Sequence, residues 1–160
     1  MDRKLFTPIS IRNLNLSNRI VVAPMCQYSA VKGSATDWHL MHLGQLSISG
    51  SSLIFVEATA VEEKGRITSG CLGLYSDENQ KALSKIIEFV KRYGNTKIGI
   101  QLAHAGRKAS TSIPWLGGKP LSQDNSDSWE TVAPSSEAYN SNWPSPLELD
   151  CLLYTSPSPR

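Results

Sequence analysis

Leu53-Ile-Phe-Val-Glu57-Ala-Thr-Ala60 opens with four consecutive apolar residues and then turns polar. A continuous apolar run rich in β-branched residues suits a strand covered on both faces, as in a parallel sheet beneath helices. Ile20-Val-Val-Ala-Pro24 is a second run of this kind, and Ile98-Gly-Ile-Gln-Leu102 a third. Two helical patterns separate them. Over Asp37–Ser49, Leu40, Leu43 and Leu46 recur at helical spacing before Gly50. The second pattern has Ser76 as N-cap, Asp77 and Glu78 in its first turn, and a stripe of Leu83, Ile86, Ile87 and Val90. It closes with Lys91, Arg92 and a stop at Gly94. The predicted order is β-α-β-α-β, with connections long enough for right-handed crossovers. Ahead of it, residues 5–16 alternate loosely around Pro8 and Asn13 and read as a short hairpin.

Chemistry in a parallel sheet gathers outside the carboxyl ends of its strands. Those ends hold Met25-Cys-Gln-Tyr28, Glu57-Ala-Thr-Ala60 and Gln101 to Lys108. None carries a glycine-rich phosphate loop, which favours a barrel over a doubly wound sheet.

Composition narrows the classes further. The 160 residues carry 16 basic and 14 acidic side chains, too balanced for a nucleic-acid binder. No apolar run approaches the ~20 residues of a membrane span. Met1-Asp-Arg-Lys-Leu-Phe6 lacks the apolar core of a secretory signal. Three cysteines without C-x-x-C spacing argue against a disulfide framework or a cysteine zinc site, so a cytoplasmic setting is expected. The average hides a seam. Residues 1–110 hold 14 basic and 8 acidic side chains, residues 111–160 hold 2 and 6, and seven of the nine prolines follow residue 113. This second part therefore reads as loop: either a long functional loop, or a stretch that stops before the next element. Residues 151–160 resemble translated adaptor sequence and read as a non-native tail, leaving 1–150 as the folding part.

Several side chains could carry chemistry. Cys26 follows a strand end, as a small buried hydrophobe or as a thiol facing a cofactor. Gln101 interrupts an apolar strand. A buried amide there must be hydrogen-bonded, either within the structure or to the edge of a planar heterocycle. His104, Arg107 and Lys108 form a basic group that fits an anion or a solvated turn. His39 and His42 share a helix face and read as packing residues, because no third metal ligand accompanies them. Glu57, Glu62 and Glu63 show no acid–base pairing.

Taken together, Leu5-Phe-Thr-Pro-Ile9, Asn18-Arg-Ile-Val-Val-Ala-Pro-Met-Cys-Gln-Tyr28, Asp37-Trp-His39, Val56-Glu-Ala-Thr-Ala-Val61, Gly65-Arg-Ile67 and Gln101-Leu-Ala-His-Ala-Gly-Arg-Lys108 resemble the start of an Old Yellow Enzyme-type flavin oxidoreductase. Cys26 resembles the thermophilic-like, cysteine-bearing subclass of NADPH dehydrogenases. The likeness spans residues 4–149. It implies an α/β fold, the (β/α)8 TIM barrel, here incomplete: a hairpin, three strands, two helices and a long loop. It also implies FMN as cofactor, NAD(P)H as co-substrate and a small enone-like substrate, with hydride passing through the flavin to the activated alkene. Pro24, Met25, Cys26, Ala60 and Gln101 would bind the flavin, with Cys26 tuning it. Tyr28 and Lys108 would face the substrate. The family's later H-x-A-H-G-Y-like motif and flavin-holding arginines are absent, so the chain is expected to be an inactive amino-terminal part of an enzyme whose oligomeric state the residues leave open. Two rivals remain: a non-enzymatic half-barrel binding module, and a barrel aldolase or hydrolase.

Overall fold

The structure, a computed structural model, describes residues 3–150; the expectation that the tail 151–160 packs against nothing lies outside the described residues. The chain begins with the antiparallel hairpin of β1 (Ile9–Ile11) and β2 (Leu14–Leu16). A parallel sheet follows, β3 (Val21–Val22), β4 (Leu53–Ala60) and β5 (Lys97–Ala103), in spatial order β3-β4-β5. The crossovers carry α1 (Asp37–Ser47) and α2 (Asp77–Tyr93), so the β-α-β-α-β order read from the sequence is present.

The helices cover one face of the sheet. Ile54 and Val56 of β4 pack there with Leu43 of α1 and with Leu83, Ile86 and Val90 of α2, joined by Ala30 and Leu72. The α2 stripe is the one its periodicity marks. Ser76 caps it, its hydroxyl accepting from the Asn79 N–H at 3.2 Å. Gly94 ends it for a reason other than the left-handed turn glycine often supplies. Its φ is −95°, and a Cβ there would lie 2.5 Å from Ser47 Cβ, so the glycine lets the end of α2 touch the end of α1. Below the sheet, Thr96 Oγ1 donates to the Ser47 and Ser51 carbonyls at 2.9 and 2.8 Å, and Ser52 Oγ to the Asn18 carbonyl at 2.9 Å. These bonds satisfy backbone oxygens at the amino ends of the strands, which buried loops must do.

Four expectations need correction. The first strand, expected over Ile20–Pro24, pairs only through Val21–Val22. Pro24 has no N–H to donate and the chain turns away into a loop. β3 is also not covered on both faces: Val22 packs under the helices, while Val21, pointing to the opposite face, is exposed. The first helix stops at Ser47 rather than Ser49, and the Ser47 hydroxyl closes its end on the Gly44 carbonyl at 2.7 Å. Residues 111–149 are not featureless. Pro114–Leu116 forms a 3-10 turn, and β6 (Val132–Ala133) pairs in parallel with β7 (Leu147–Glu148), with Thr131, Val132 and Ala133 buried.

Candidate active site at the carboxyl edge of the sheet

Glu57 organises this edge. The β4–β5 register shifts between Val56 and Ala58, leaving Glu57 as the extra residue of a bulge. Bulges re-aim a side chain without ending the strand. The Glu57 carboxylate turns towards α1, where its Oε1 lies 3.2 Å from His39 Nε2, both side chains being 2% exposed. The two atoms touch without hydrogen-bond alignment. His39 Nδ1 accepts the Thr36 N–H at 3.0 Å, closing a capping box at the start of α1. The ring proton is therefore on Nε2, facing Glu57. The other carboxylate oxygen, Oε2, accepts the Gln27 N–H at 3.1 Å.

That last bond anchors the loop after β3. Gln27 also accepts from Trp38 Nε1 of α1 at 3.1 Å and donates its amide to the Met25 carbonyl at 2.9 Å. On the far side, the Ala30 N–H donates to the Gly70 carbonyl at 2.9 Å, and a Cβ on Gly70 would lie 2.7 Å from the Tyr28 carbonyl. Held from both sides, Tyr28 adopts φ +52°, a conformation that costs a non-glycine residue about 1–3 kcal/mol and gathers at functional sites. Within this loop Met25 is 56% exposed, while Pro24, Cys26 and Tyr28 are half-buried.

The other edge residues differ in their freedom. Ala60 is buried; its N–H donates to the Leu72 carbonyl and its carbonyl accepts from the Leu74 N–H, so its N–H has no hydrogen bond left to give. Gln101 sits beside Ala58 in the register, and it is exposed with no partner for its amide among the described residues. The buried amide expected there is absent because none of the described residues covers that end of β5. The basic group is dispersed. His104 Nδ1 accepts the Gly106 N–H at 3.0 Å, which puts the ring proton on Nε2, 2.6 Å from Glu62 Oε1. Arg107 spans to the Glu137 carbonyl and the Ser135 hydroxyl at 2.7 and 3.0 Å, and the Lys108 ammonium rests 4.1 Å from the Tyr139 ring centroid. These three side chains hold loops and do not converge on an anion.

The long loop returns to the site. Trp115 meets the Tyr28 ring edge to face, with centroids 5.4 Å apart, and Tyr139 takes the Lys108 head. Burial raises the Tyr28 hydroxyl above its ordinary pKa, and the nearby Cys26, Cys71 and Glu57 raise it further, so it stays a protonated donor at neutral pH. His42 is pushed down by burial first, which keeps it neutral, in line with packing. The sequence reading missed Glu57 and His39 as a pair, and it missed Trp115. Glu57 was visible as a lone acid inside an apolar strand; the pairing needed the bulge, which no local pattern marks. Among the described residues no group of three His, Cys, Asp or Glu side chains is placed to hold a metal ion, and no helix is long and apolar enough to cross a membrane.

Comparison with known proteins matches this arrangement. The model of the NADH:flavin oxidoreductase / NADH oxidase family covers residues 4–138. The chain is 48% identical over 137 residues to an NADH:flavin oxidoreductase of Gibberella zeae, spanning 84% of this chain and 33% of that protein. It is 52% identical over 111 residues to an NADPH dehydrogenase of Bacillus subtilis, spanning 68% of this chain and 32% of that protein. Morphinone reductase superposes with a TM-score of 0.74 at 22% identity, over 93% of this chain and 40% of that one. Old Yellow Enzyme from Pichia sp. AKU4542 gives 0.68 at 26% identity, over 85% and 33%. The chain belongs to the NADH:flavin oxidoreductase / NADH oxidase family, in agreement with its resemblance to Old Yellow Enzyme-type proteins. Its sheet is an open portion of their TIM barrel, and it spans about a third of the length of these curated relatives.

Proposed function

We propose that this chain is the amino-terminal part of an FMN-dependent oxidoreductase that passes hydride from NAD(P)H to an alkene conjugated to a carbonyl. The observation that carries the reading is the edge itself. The apolar loop Pro24–Cys26, Ala60, and Gln101, whose amide has no partner among the described residues, all lie at the carboxyl ends of parallel strands. Such an edge fits a flavin ring: apolar walls for its faces, and one amide offering donor and acceptor to its pyrimidine rim.

FMN bound here would supply the hydride relay between nicotinamide and alkene. The chain's own residues would do the rest. Gln101 fixes the ring's orientation through its amide. The Cys26 thiol, close to the Ala58 N–H, sets the polarity at the ring edge. Ala60 packs against the ring while its N–H stays on Leu72. Tyr28, protonated and braced by Trp115, presents a hydroxyl donor towards the substrate side, and Lys108 stands at the rim on Tyr139.

The test uses the complete protein that carries this chain. Gln101→Leu should weaken FMN binding at least tenfold in a fluorescence titration. Cys26→Ala should keep FMN bound and shift its reduction potential. Wild-type FMN affinity in Gln101→Leu, or loss of all flavin from Cys26→Ala, would contradict these roles.

A further inference from the structure

The loop after β5 carries a small hairpin, residues 111–120, to the site edge. Its base is anchored. Thr111 is buried, and its N–H and hydroxyl both donate to the Ile67 carbonyl, at 3.0 and 3.1 Å. Thr111 pairs with Pro120 in an antiparallel bridge. The Ser112 N–H donates to the Lys119 carbonyl at 2.9 Å, and the Ser112 hydroxyl accepts the Lys119 N–H at 3.1 Å. The tip closes on itself. The Leu116 and Gly118 N–H groups donate to the Ile113 carbonyl at 2.9 and 3.3 Å. Gly117 and Gly118 have φ +104° and +60°, values that favour glycine and that reverse the chain here. Backbone bonds therefore fix this hairpin, and burial of its tip does not. Trp115 and Leu116, at that tip, are 66% and 70% exposed. Trp38 and Trp129 spend their indole N–H groups on the Gln27 side chain and the Lys64 carbonyl, whereas that of Trp115 has no acceptor among the described residues. What the Trp115 ring does meet is the Tyr28 ring, edge to face at 5.4 Å. It adds little to the core and presents a broad apolar surface beside Tyr28.

We propose that this hairpin is a fixed wall on the substrate side of the site, and that Trp115 is the residue of this chain that limits the size of the alkene admitted beside Tyr28. The inference rests on the reading of this edge as a flavin site with Tyr28 facing substrate, and it adds the substrate class. Compact enones pass, and enones carrying an aryl group against the indole are turned away. The mount makes the indole a wall. To move Trp115 aside, a bulky substituent must break the bonds to the Ile113 and Lys119 carbonyls, so overlap excludes it. The Tyr28 backbone does not need the indole. Its loop is held at Gln27 by Glu57 and at Ala30 by the Gly70 carbonyl. Shortening Trp115 therefore opens room beside Tyr28 and leaves that loop anchored.

The complete protein tests this as wild type, Trp115→Ala and Trp115→Phe, each assayed with FMN and NADPH against cyclohexenone and a set of phenyl-substituted cyclohexenones. The readout is the ratio of kcat/KM for each phenyl substrate to that for cyclohexenone; a purely structural loss lowers both alike and leaves the ratio unmoved. In Trp115→Ala the ratio should rise about tenfold or more for at least one phenyl substrate, the scale on which a hydrophobic wall discriminates. Trp115→Phe, smaller yet still aromatic, should raise it for the same substrate by less. FMN affinity, from a fluorescence titration, should equal that of the wild type in both variants. The inference is overturned if the ratio for every phenyl substrate stays below that rise in Trp115→Ala, or if either variant loses FMN affinity. Should Trp115→Ala fail to fold, Trp115→Phe decides alone: a raised ratio supports the wall, and an unchanged one overturns it. A wild type that binds FMN and reduces cyclohexenone keeps the flavin reading even where the wall fails; a wild type that binds no FMN overturns both.

Discussion

Glu57 is the residue on which the geometry of the site converges. One carboxylate holds the Gln27 N–H of the loop and faces the Nε2–H of His39. An amide in its place has one oxygen and one NH2, so whichever way it turns, one of those two donors meets another donor. Setting one buried N–H donor against another, in place of a carboxylate oxygen, costs about 1–3 kcal/mol. Glu57→Gln is accordingly expected to lower the unfolding free energy from a urea melt by that amount, with a lower midpoint, and to loosen the Met25–Tyr28 loop, seen as faster amide exchange there; an unchanged midpoint would contradict the role. At this scale the sequence was legible in part. Cys26, Tyr28, Ala60 and Gln101 were located at the carboxyl ends of strands by position, while the roles expected of Tyr28 and Ala60 came only from the family resemblance. Glu57 and His39 are 18 residues apart in sequence, and their meeting depends on one extra residue in a strand. Cys71 was counted but not placed, since a lone thiol in a Ser/Gly turn carries no pattern.

The elements were more legible than their ends. The α2 helix was defined by its stripe, its Ser76 cap and its charged turns, all local signals. β4 was defined by its apolar run. β3 was overestimated because an apolar run reports burial, and pairing also needs a neighbour and free N–H groups. Gly94 shows how a correct stop can have a different cause: the sequence pattern fits a left-handed cap, whereas the structure uses the missing Cβ for contact with Ser47. Gly94→Ala must therefore push the two helix ends apart. Overpacking of this kind costs about 1–3 kcal/mol. A thermal or urea melt of the complete protein should show a loss in that range, and a melt equal to or above wild type would argue that the helix ends part without strain.

On the scale of the whole molecule, the sheet has, among the described residues, two open edges and an uncovered inner face. Leu102 is 58% exposed and Val21 46%, positions where a closed barrel would place neighbours. Open edges with exposed apolar residues invite association between chains. The long loop was legible as loop from its prolines and its charge reversal, but its return to Tyr28 and Lys108 through Trp115 and Tyr139 was not, because those contacts span about 30–90 residues of sequence without local periodicity. The central claim is that this chain supplies one edge of a flavin site that the rest of a barrel must complete. The most direct measurement compares residues 1–160 with the complete protein, each expressed and assayed with FMN, NADPH and cyclohexenone. The complete protein should be yellow and reduce the enone, while residues 1–160 should be colourless, poorly soluble and inactive. A soluble, yellow preparation of residues 1–160 that turns over the enone, or a complete protein that binds no FMN, would contradict the account.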